Sequence, residues 1–496
     1  MGATPQDQTA HVVLVPYPAQ GHIPPMIHLA RKLAANEIIV TLVNVDSVHK
    51  MLLKQWSCPP GSDIRLEQVE CGLKLPAGVD ASCLENPEAL FDAVDSLKAP
   101  VEELVRELTP TPCCIIADFF LGWPLELART LGTGCAIYWP GNAAWSSLHH
   151  HMKLLEAHGD LFCQGKPKFL SVVVNQVCEI HAGEREEDRI ITYIPGVPGL
   201  EYGDLPEYFK RKLGTPSRRL LFDYDQDRMK HCEWILVNSM AELEPETFHA
   251  MQAALPASKF AAIGPLFPVS HHESPAALKG VSLRDEEDGC LKWLDTRAES
   301  SVLYVSFGSI SVLSEDTFQE IAAGLEASEQ AFLWVNREDL VKRSATHDEF
   351  YAGFLERTRE QGMVVSWAPQ VRVLAHSSIG GFLSHCGWNS TLESICYGVP
   401  LLGWPCHSEQ RTNAKLVEED WRVGKRLWRR GDGGTVTRGV VEQRITEFMS
   451  GMDKEEIWAR AKDLKNVARA TANPGGNSHE NLAAFARAVK TMTMGD

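Results

Sequence analysis

The sequence predicts an α/β fold built from two doubly wound domains in one chain. Three observations predict it. The chain has 496 residues, enough for two to three domains with large buried cores. Its 44% hydrophobic and 23% charged residues are the composition of an ordinary globular protein, not of a disordered one. Short β-rich apolar runs alternate with helical patterns in two separate series. Each series opens on a run that ends at a Gly-containing turn: residues 11–17 before Pro18-Ala19-Gln20-Gly21-His22, and residues 302–307 before Gly308-Ser309.

In the first series, the turn after residues 11–17 leads into a helical pattern over 23–35 and a second apolar run over 38–44, a βαβ opening. No GxGxxG occurs there or elsewhere, which counts against a nicotinamide dehydrogenase. A helix-like stretch over 87–108 leads into a strand over 113–117 closed by Asp118, then a helix over 125–131 and a strand over 135–139. His22 and Asp118 thus both sit where strands end, on one edge of the expected sheet. Residues 160–215, with the charged run EREED at 184–188 and the Pro/Gly-rich IPGVPGLEYGDLP, read as loops and short helices over the first domain. A strand over 234–238 follows. This gives a first domain over 1–255, a linker over 256–288 and a second domain over 289–474.

In the second series, strands over 302–307, 332–335 and 364–367 lead into the stretch WAPQVRVLAHSSIGGFLSHCGWNSTLESICYGVPLLGWPCHSEQ, residues 367–410. Its apolar run at 379–383 reads as a buried parallel strand that breaks at Ser384-His385-Cys386-Gly387 and re-forms as a helix starting at Asn389-Ser390. That helix stops at Gly398, and Pro400 opens the next strand over 401–404. Free N–H groups and the dipole at such a helix start suit a phosphate. Around it lie an indole (Trp367), amide and carboxylate side chains (Gln370, Glu393, Glu409, Gln410) and an imidazole (His385), a kit that fits a nucleotide sugar. Helical patterns fill 409–420 and 436–493.

Bulk properties narrow the partners. A net charge of −17, from 48 basic and 65 acidic residues, argues against nucleic acid and against anionic membrane surfaces. Thirteen cysteines, an odd number without framework spacing or a CxxC, point to a reducing compartment and to no zinc or redox site. The opening MGATPQDQTA lacks an apolar signal core, and the best apolar stretch, 113–128, is interrupted by Asp118 and Glu126. A cytoplasmic protein without membrane insertion is expected, in which the sequon Asn389-Ser390-Thr391 stays unmodified.

The 367–410 segment closely resembles the plant secondary product glycosyltransferase box, the donor-binding signature of the plant family 1 UDP-glycosyltransferases. Its length, the opening WAPQ, the central HCGWNSTLE and the closing EQ carry the resemblance, and PYPAQGH and GGNSHENL extend it more weakly to both ends. The resemblance implies the GT-B fold, two Rossmann-like domains facing across a cleft, with a last helix over about 475–496 packing back on the first domain. It implies a UDP-sugar donor, a small-molecule acceptor, no metal and no cofactor. Residue by residue, it makes His22 the general base and Asp118 its orienting carboxylate. It sets Trp367 against uracil, Gln370 and Glu393 on the ribose, Ser309 and His385 on the diphosphate with the helix start at Asn389 and Ser390, and Trp388, Glu409 and Gln410 on the sugar. Ala368 and Gly387 complete the donor-binding set. Glutamine at 410 accompanies UDP-glucose in the family, where histidine accompanies UDP-galactose. One departure stands out: Trp139 is followed by Pro140, where many members carry a hydroxyl that reaches the 6-hydroxyl of the sugar.

The residues also admit other readings. His22 could be a helix-start residue, Asp118 an N-cap, and both tryptophans core. Ser390 and Glu393 have the spacing of a capping box, in which the carboxylate serves a backbone N–H. Asp223-Tyr224-Asp225 is formally a DxD metal motif but lies in a charged, helix-like stretch that reads as a solvated face, and His149-His150-His151 reads as a flank of the acceptor cleft. The expected reaction is inverting glucosyl transfer from UDP-glucose to a hydroxyl of a small lipophilic acceptor, giving a β-glucoside. A non-hydrolysing sugar-nucleotide epimerase and a non-catalytic UDP-sugar-binding protein are the alternatives. The acceptor itself has no readable code.

Overall fold

The computed structural model describes residues 9–55, 61–70, 87–161, 189–210, 227–269, 289–309, 313–337, 345–427 and 436–492. The acidic run at 184–188, the DxD at 223–225 and most of the expected linker, 270–288, lie outside them. The chain divides into two compact units: Met1–Phe267 with Thr471–Asp496, and Pro268–Ala470.

In the first unit the strands run in chain order as β1 (His11–Val15), β2 (Ile39–Val45), β3 (Ile64–Val69), β4 (Cys114–Asp118), β5 (Gly134–Trp139), β6 (Ile190–Ile191), β7 (Leu200–Glu201), β8 (Trp234–Val237) and β9 (Lys259–Ala262). Seven form one sheet in the order β3-β2-β1-β4-β5-β8-β9, every pair parallel. β6 and β7 make a separate antiparallel ladder. The central strands β1, β2 and β4 are buried along their whole length, as strands covered on both faces must be. From β1 the chain winds outward through β2 and β3, then returns to place β4 on the other side of β1. That reversal opens a crevice at the carboxyl ends of β1 and β4.

The second unit repeats the plan with β10 (Val302–Ser306), β11 (Ala331–Val335), β12 (Gly362–Val365), β13 (Ile379–Ser384), β14 (Leu401–Gly403) and β15 (Gly424–Arg426), ordered β12-β11-β10-β13-β14-β15 and all parallel. Its reversal lies between β10 and β13. Leu303, Phe318, Phe332, Trp334, Phe354 and Leu383 form the centre of the core on one side.

Four expectations change. Residues 87–108 are two helices, Pro87–Ser96 and Lys98–Glu107. Pro100 has no N–H and its ring would press on the carbonyl of Ser96, so one helix cannot run through. Lys259–Ala262, expected to begin the linker, is the edge strand of the first sheet, paired with β8. The helical stretch at 409–420 is an α-helix over Gln410–Lys415 that widens into a π turn over Leu416–Asp420. The stretch at 436–493 is three helices, Arg438–Ser450, Lys454–Ala472 and Asn477–Thr491.

The last of these packs within the first unit. Phe485, fully buried, lies edge-on to Trp234 with ring centroids 5.2 Å apart. Asn481 Nδ2 donates to the Ala262 carbonyl at 3.0 Å, and Lys490 pairs with Glu37 at 3.2 Å. Among the described residues the eight cysteines are free thiols, and no helix is long and apolar enough to cross a membrane. Phe485→Ala should cost the first unit about 3–5 kcal/mol, read as an earlier unfolding transition in denaturant. An unchanged midpoint would show that this helix adds little to the unit.

Candidate active site

In the first unit the turn after β1 is tightened by backbone bonds from His22 N and Ile23 N to the Ala19 carbonyl, at 2.9 and 3.0 Å. His22 is the N-cap of the helix Ile23–Ala34, whose early prolines suit positions where no intrahelical N–H is needed. Its Nδ1 lies 2.8 Å from Asp118 Oδ2, at the end of β4. The imidazole is 20% exposed and the carboxylate not at all. Asp118 Oδ1 accepts from Phe120 N at 2.9 Å, so the carboxylate is held at both oxygens. With an ionised carboxylate as its partner, Nδ1 carries the ring proton and Nε2 the lone pair. The rings of Tyr17 and Phe120 flank the imidazole at 5.1 and 5.4 Å.

An aromatic wall continues from Phe120. Its ring is 5.3 Å from Trp145, which is 4.9 Å from Trp139. The indole N–H of Trp145 donates to the Tyr208 hydroxyl, which in turn lies 2.8 Å from His149 Nε2. Burial lowers the His149 pKa to about 3. The helix Ala143–His150 that carries Trp145 and His149 begins with Asn142 accepting from Trp145 N at 2.7 Å. Its first two N–H groups, Ala143 and Ala144, donate to the buried carboxylate of Glu244 at 2.9 and 2.8 Å, and Ser239 Oγ donates to the same group at 2.6 Å. Gly141 is required here, because a Cβ would come within 2.1 Å of the Trp145 ring. Of the three consecutive histidines, His149 is thus tied into this wall, and His151 Nδ1 sits 2.9 Å from the Ser147 carbonyl.

In the second unit the loops after β10 and β13 meet. Gly308 has φ +75°, and a Cβ there would fall 2.4 Å from His385 Nε2; one on Gly387 would fall 2.5 Å from the same atom. The imidazole is therefore clasped between two glycines, each needed for want of a side chain. His385 is 8% exposed, and burial followed by nearby His407 lowers its pKa to about 3, so it is neutral. A neutral ring offers a hydrogen bond but no charge. Positive potential must come from the helix Trp388–Tyr397, which ends at Gly398 in the left-handed region at φ 70°. That helix starts one residue earlier than the sequence predicts. Gly387 is the N-cap and brings no capping side chain, and Asn389 and Ser390 are the second and third helical residues.

The capping-box reading of Ser390 and Glu393 is therefore overturned. Gln370 Nε2 donates to Glu393 Oε2 at 2.7 Å and to Ser390 Oγ at 2.9 Å, and Tyr304 OH donates to Gln370 Oε1 at 3.2 Å. Gln370, Ser390 and Glu393 are thus gathered into one cluster. Trp367, half-buried, precedes the buried Ala368 and the helix Gln370–Leu374. Trp388 is buried, with its ring 6.2 Å from Trp421. Ser309 accepts at its carbonyl from the Arg337 guanidinium. Glu409 and Gln410 are both buried, and Asn413 Nδ2 ties their helix to the Cys386 carbonyl at 2.8 Å.

Sequence reasoning missed Glu244, Tyr208, Tyr304 and Asn413, whose partners lie far along the chain. In the sequence Gly308 reads as a turn and Gly387 as a motif residue, without the imidazole that explains them. Among the described residues no three His, Cys, Asp or Glu side chains converge as a metal site would.

Two expectations follow from this geometry. Gly308→Ala and Gly387→Ala should each lower UDP affinity roughly tenfold or more by calorimetric titration, since displacing the ring or straining the backbone costs about 1–3 kcal/mol. Wild-type affinity in both would mean that the clasp does not shape the site. The second concerns acid. His149 and His385 have folded pKa values near 3 against 6.5 when unfolded, so below pH 6.5 the unfolded chain binds protons that the folded one refuses. The penalty is absent above pH 6.5 and grows as pH falls toward 3, reaching about 2–3 kcal/mol per residue near pH 4.5. Thermal unfolding should shift down between pH 7 and 4.5, and His149→Gln should lessen the shift. A midpoint independent of pH would contradict it.

Comparison with known proteins points to one family. The family described as UDP-glucoronosyl and UDP-glucosyl transferase matches residues 280–430. The chain is 35% identical to UDP-glycosyltransferase 86A2 of Arabidopsis thaliana, over 96% of this chain and 93% of the relative. It is 32% identical to 7-deoxyloganetin glucosyltransferase of Catharanthus roseus, over 97% of this chain and 96% of the relative. Among solved structures it is similar to UGT2 of Phytolacca americana complexed with UDP-2-fluoro-glucose and pterostilbene, with TM-score 0.76 and 27% identity over 97% of this chain and 99% of that one. Similarity over nearly whole chains, on two doubly wound units of the GT-B type, makes this protein a member of the plant family 1 UDP-glycosyltransferases.

Proposed function

We propose that the protein transfers glucose from UDP-glucose to a hydroxyl of a small lipophilic acceptor, inverting the donor's α linkage to give a β-glucoside. Transfer from a UDP-sugar is the activity of its family; the glucose, the acceptor class and the residue roles are the proposal. The observation that carries it is the 2.8 Å contact between His22 Nδ1 and the fully buried Asp118 carboxylate. A carboxylate there fixes the ring so that Nε2 can take a proton, and offsets the charge that the ring then gains.

As the acceptor oxygen attacks the anomeric carbon, its proton passes to His22 Nε2 and the bond from that carbon to the phosphate oxygen breaks. The electron pair leaves with UDP. The start of the helix Trp388–Tyr397 and a hydrogen bond from the neutral His385 stabilise the diphosphate, with Ser309, Gly387, Asn389 and Ser390 around it. Trp367 and Ala368 hold the uracil, Gln370 and Glu393 the ribose, and Trp388, Glu409 and Gln410 the sugar. This route uses one displacement and needs no metal or cofactor besides the donor. The wall of Phe120, Trp139 and Trp145 supports a lipophilic acceptor. The Phytolacca complex, with a fluorinated UDP-glucose and pterostilbene, and the Catharanthus glucosyltransferase support the same donor and acceptor classes. A cytoplasmic location is part of this reading, supported by the free thiols.

Mass-spectrometric screening of phenolic and terpenoid alcohols with UDP-glucose, UDP-galactose and UDP-xylose tests donor and acceptor together, and the anomeric coupling constant of the product reports inversion. His22→Ala should lower kcat by about 10²–10⁴ and Asp118→Asn by less, while UDP still binds as in the wild type. Undiminished turnover by His22→Ala would rule out the base, and an α-glucoside would rule out the single displacement.

A further inference from the structure

Sugar selection falls to Glu409 and Gln410 under the function proposed above, yet the Gln410 side chain is already engaged within its own loop. Its Oε1 accepts from the backbone N–H groups of Cys406 at 2.9 Å and His407 at 3.0 Å. Two backbone donors on one atom identify that atom as the oxygen, so the orientation of the carboxamide follows from its bonding. Both lone pairs are then in use. Gln410 Nε2 lies 2.8 Å from His407 Nδ1. An amide nitrogen only donates, so Nδ1 is the unprotonated nitrogen of that ring and the imidazole proton is on Nε2. The turn is closed again by Gln410 N donating to the His407 carbonyl at 3.3 Å. Inside it Ser408 has φ 56°, a left-handed conformation that a serine adopts only when its surroundings impose it.

We infer that His407 is a positioning residue for donor selection, holding Gln410 so that it shows the sugar one amide N–H and no acceptor. A carboxamide has two lone pairs and two N–H hydrogens; both lone pairs and one hydrogen are taken by the loop. Glu409 beside it is 8% exposed, and its carboxylate accepts from Asn413 Nδ2 at 3.5 Å. The pair therefore offers one donor and a carboxylate that only accepts. Sugar hydroxyls fit when one accepts from Gln410 and one donates to Glu409. Without the imidazole, the second amide hydrogen loses its partner and the carboxamide can rotate, which blurs the distinction between sugars that differ in a single hydroxyl. This inference rests on Gln410 facing the sugar.

Calorimetric titration of the full-length protein with UDP-glucose, UDP-galactose and UDP tests it without an acceptor. His407→Ala should weaken UDP-glucose about fivefold, the loss of one hydrogen bond, and narrow the ratio between the two sugar nucleotides. UDP, which has no sugar, should bind as before. His407→Asn, whose Oδ1 falls near the position of Nδ1, should restore both values; His407→Gln, whose acceptor reaches the Nε2 position, should not. Wild-type values in His407→Ala, an Asn variant no better than the Ala one, or an equal loss for UDP would each overturn the inference. Gln410→Ala separates the two levels. If it alone impairs sugar-nucleotide binding, the sugar reading stands and the role of His407 falls. If it changes nothing, the reading of Gln410 falls and takes the inference with it.

Discussion

Parallel strands whose order reverses in mid-sheet are the constraint on which both candidate sites depend. At such a reversal the connections from two neighbouring strands leave in opposite directions, so nothing covers the sheet's carboxyl edge between them. In the first unit the reversal lies between β1 and β4, and these two strands deliver His22 and Asp118. In the second it lies between β10 and β13, and these deliver Gly308 and His385. A histidine thus stands at each opening, in opposite company. The first is paired with a buried carboxylate and suits proton transfer, while the second is closed in by two glycines and held uncharged. Under the proposed function, the difference in surroundings, not in side chain, divides their roles.

Under the proposed function, the second opening has to hold a diphosphate on an acidic protein. With a net charge of −17, long-range attraction is unfavourable. Close donors have to serve instead, and a helix whose cap residue is glycine leaves its first turn without a competing side chain. A serine or aspartate at position 387 would satisfy those N–H groups internally and meet the His385 ring as well. Local stability of the helix is thereby given up at the place where a ligand can restore it.

Much of this architecture was legible in the sequence, for identifiable reasons. Strands such as β1 and β4 are continuous apolar runs because both faces are covered, and the Gly398–Pro400 signal marks the end of a helix and the start of a strand. β3 was not seen because IRLEQV mixes charged and apolar residues near the sheet edge, and β9 because only four residues, KFAA, carry it. The sequence points to a start one residue late for the helix at 388 because Asn389 and Ser390 are good caps by type, whereas the residue that occupies the cap, Gly387, reads as part of the preceding turn. The same shift explains the false capping box. Within the site, His22 and Asp118 could be paired from the strand ends that carry them, but no local pattern announces a Gln370–Glu393 contact or the demand of Trp145 for a glycine at 141. Contacts of that kind appear only when distant segments are brought together.

The anchoring of the helix Ala143–His150 by Glu244 has a consequence for biosynthesis. Eight residues are too few for a helix to persist by themselves, and the carboxylate that receives its first two N–H groups is translated about a hundred residues later. At ribosomal speed that interval is roughly 5–20 s. Throughout it, the indole of Trp145 and the imidazole of His149 wait without their anchored helix, which can be seated only once Glu244, just beyond β8, has emerged.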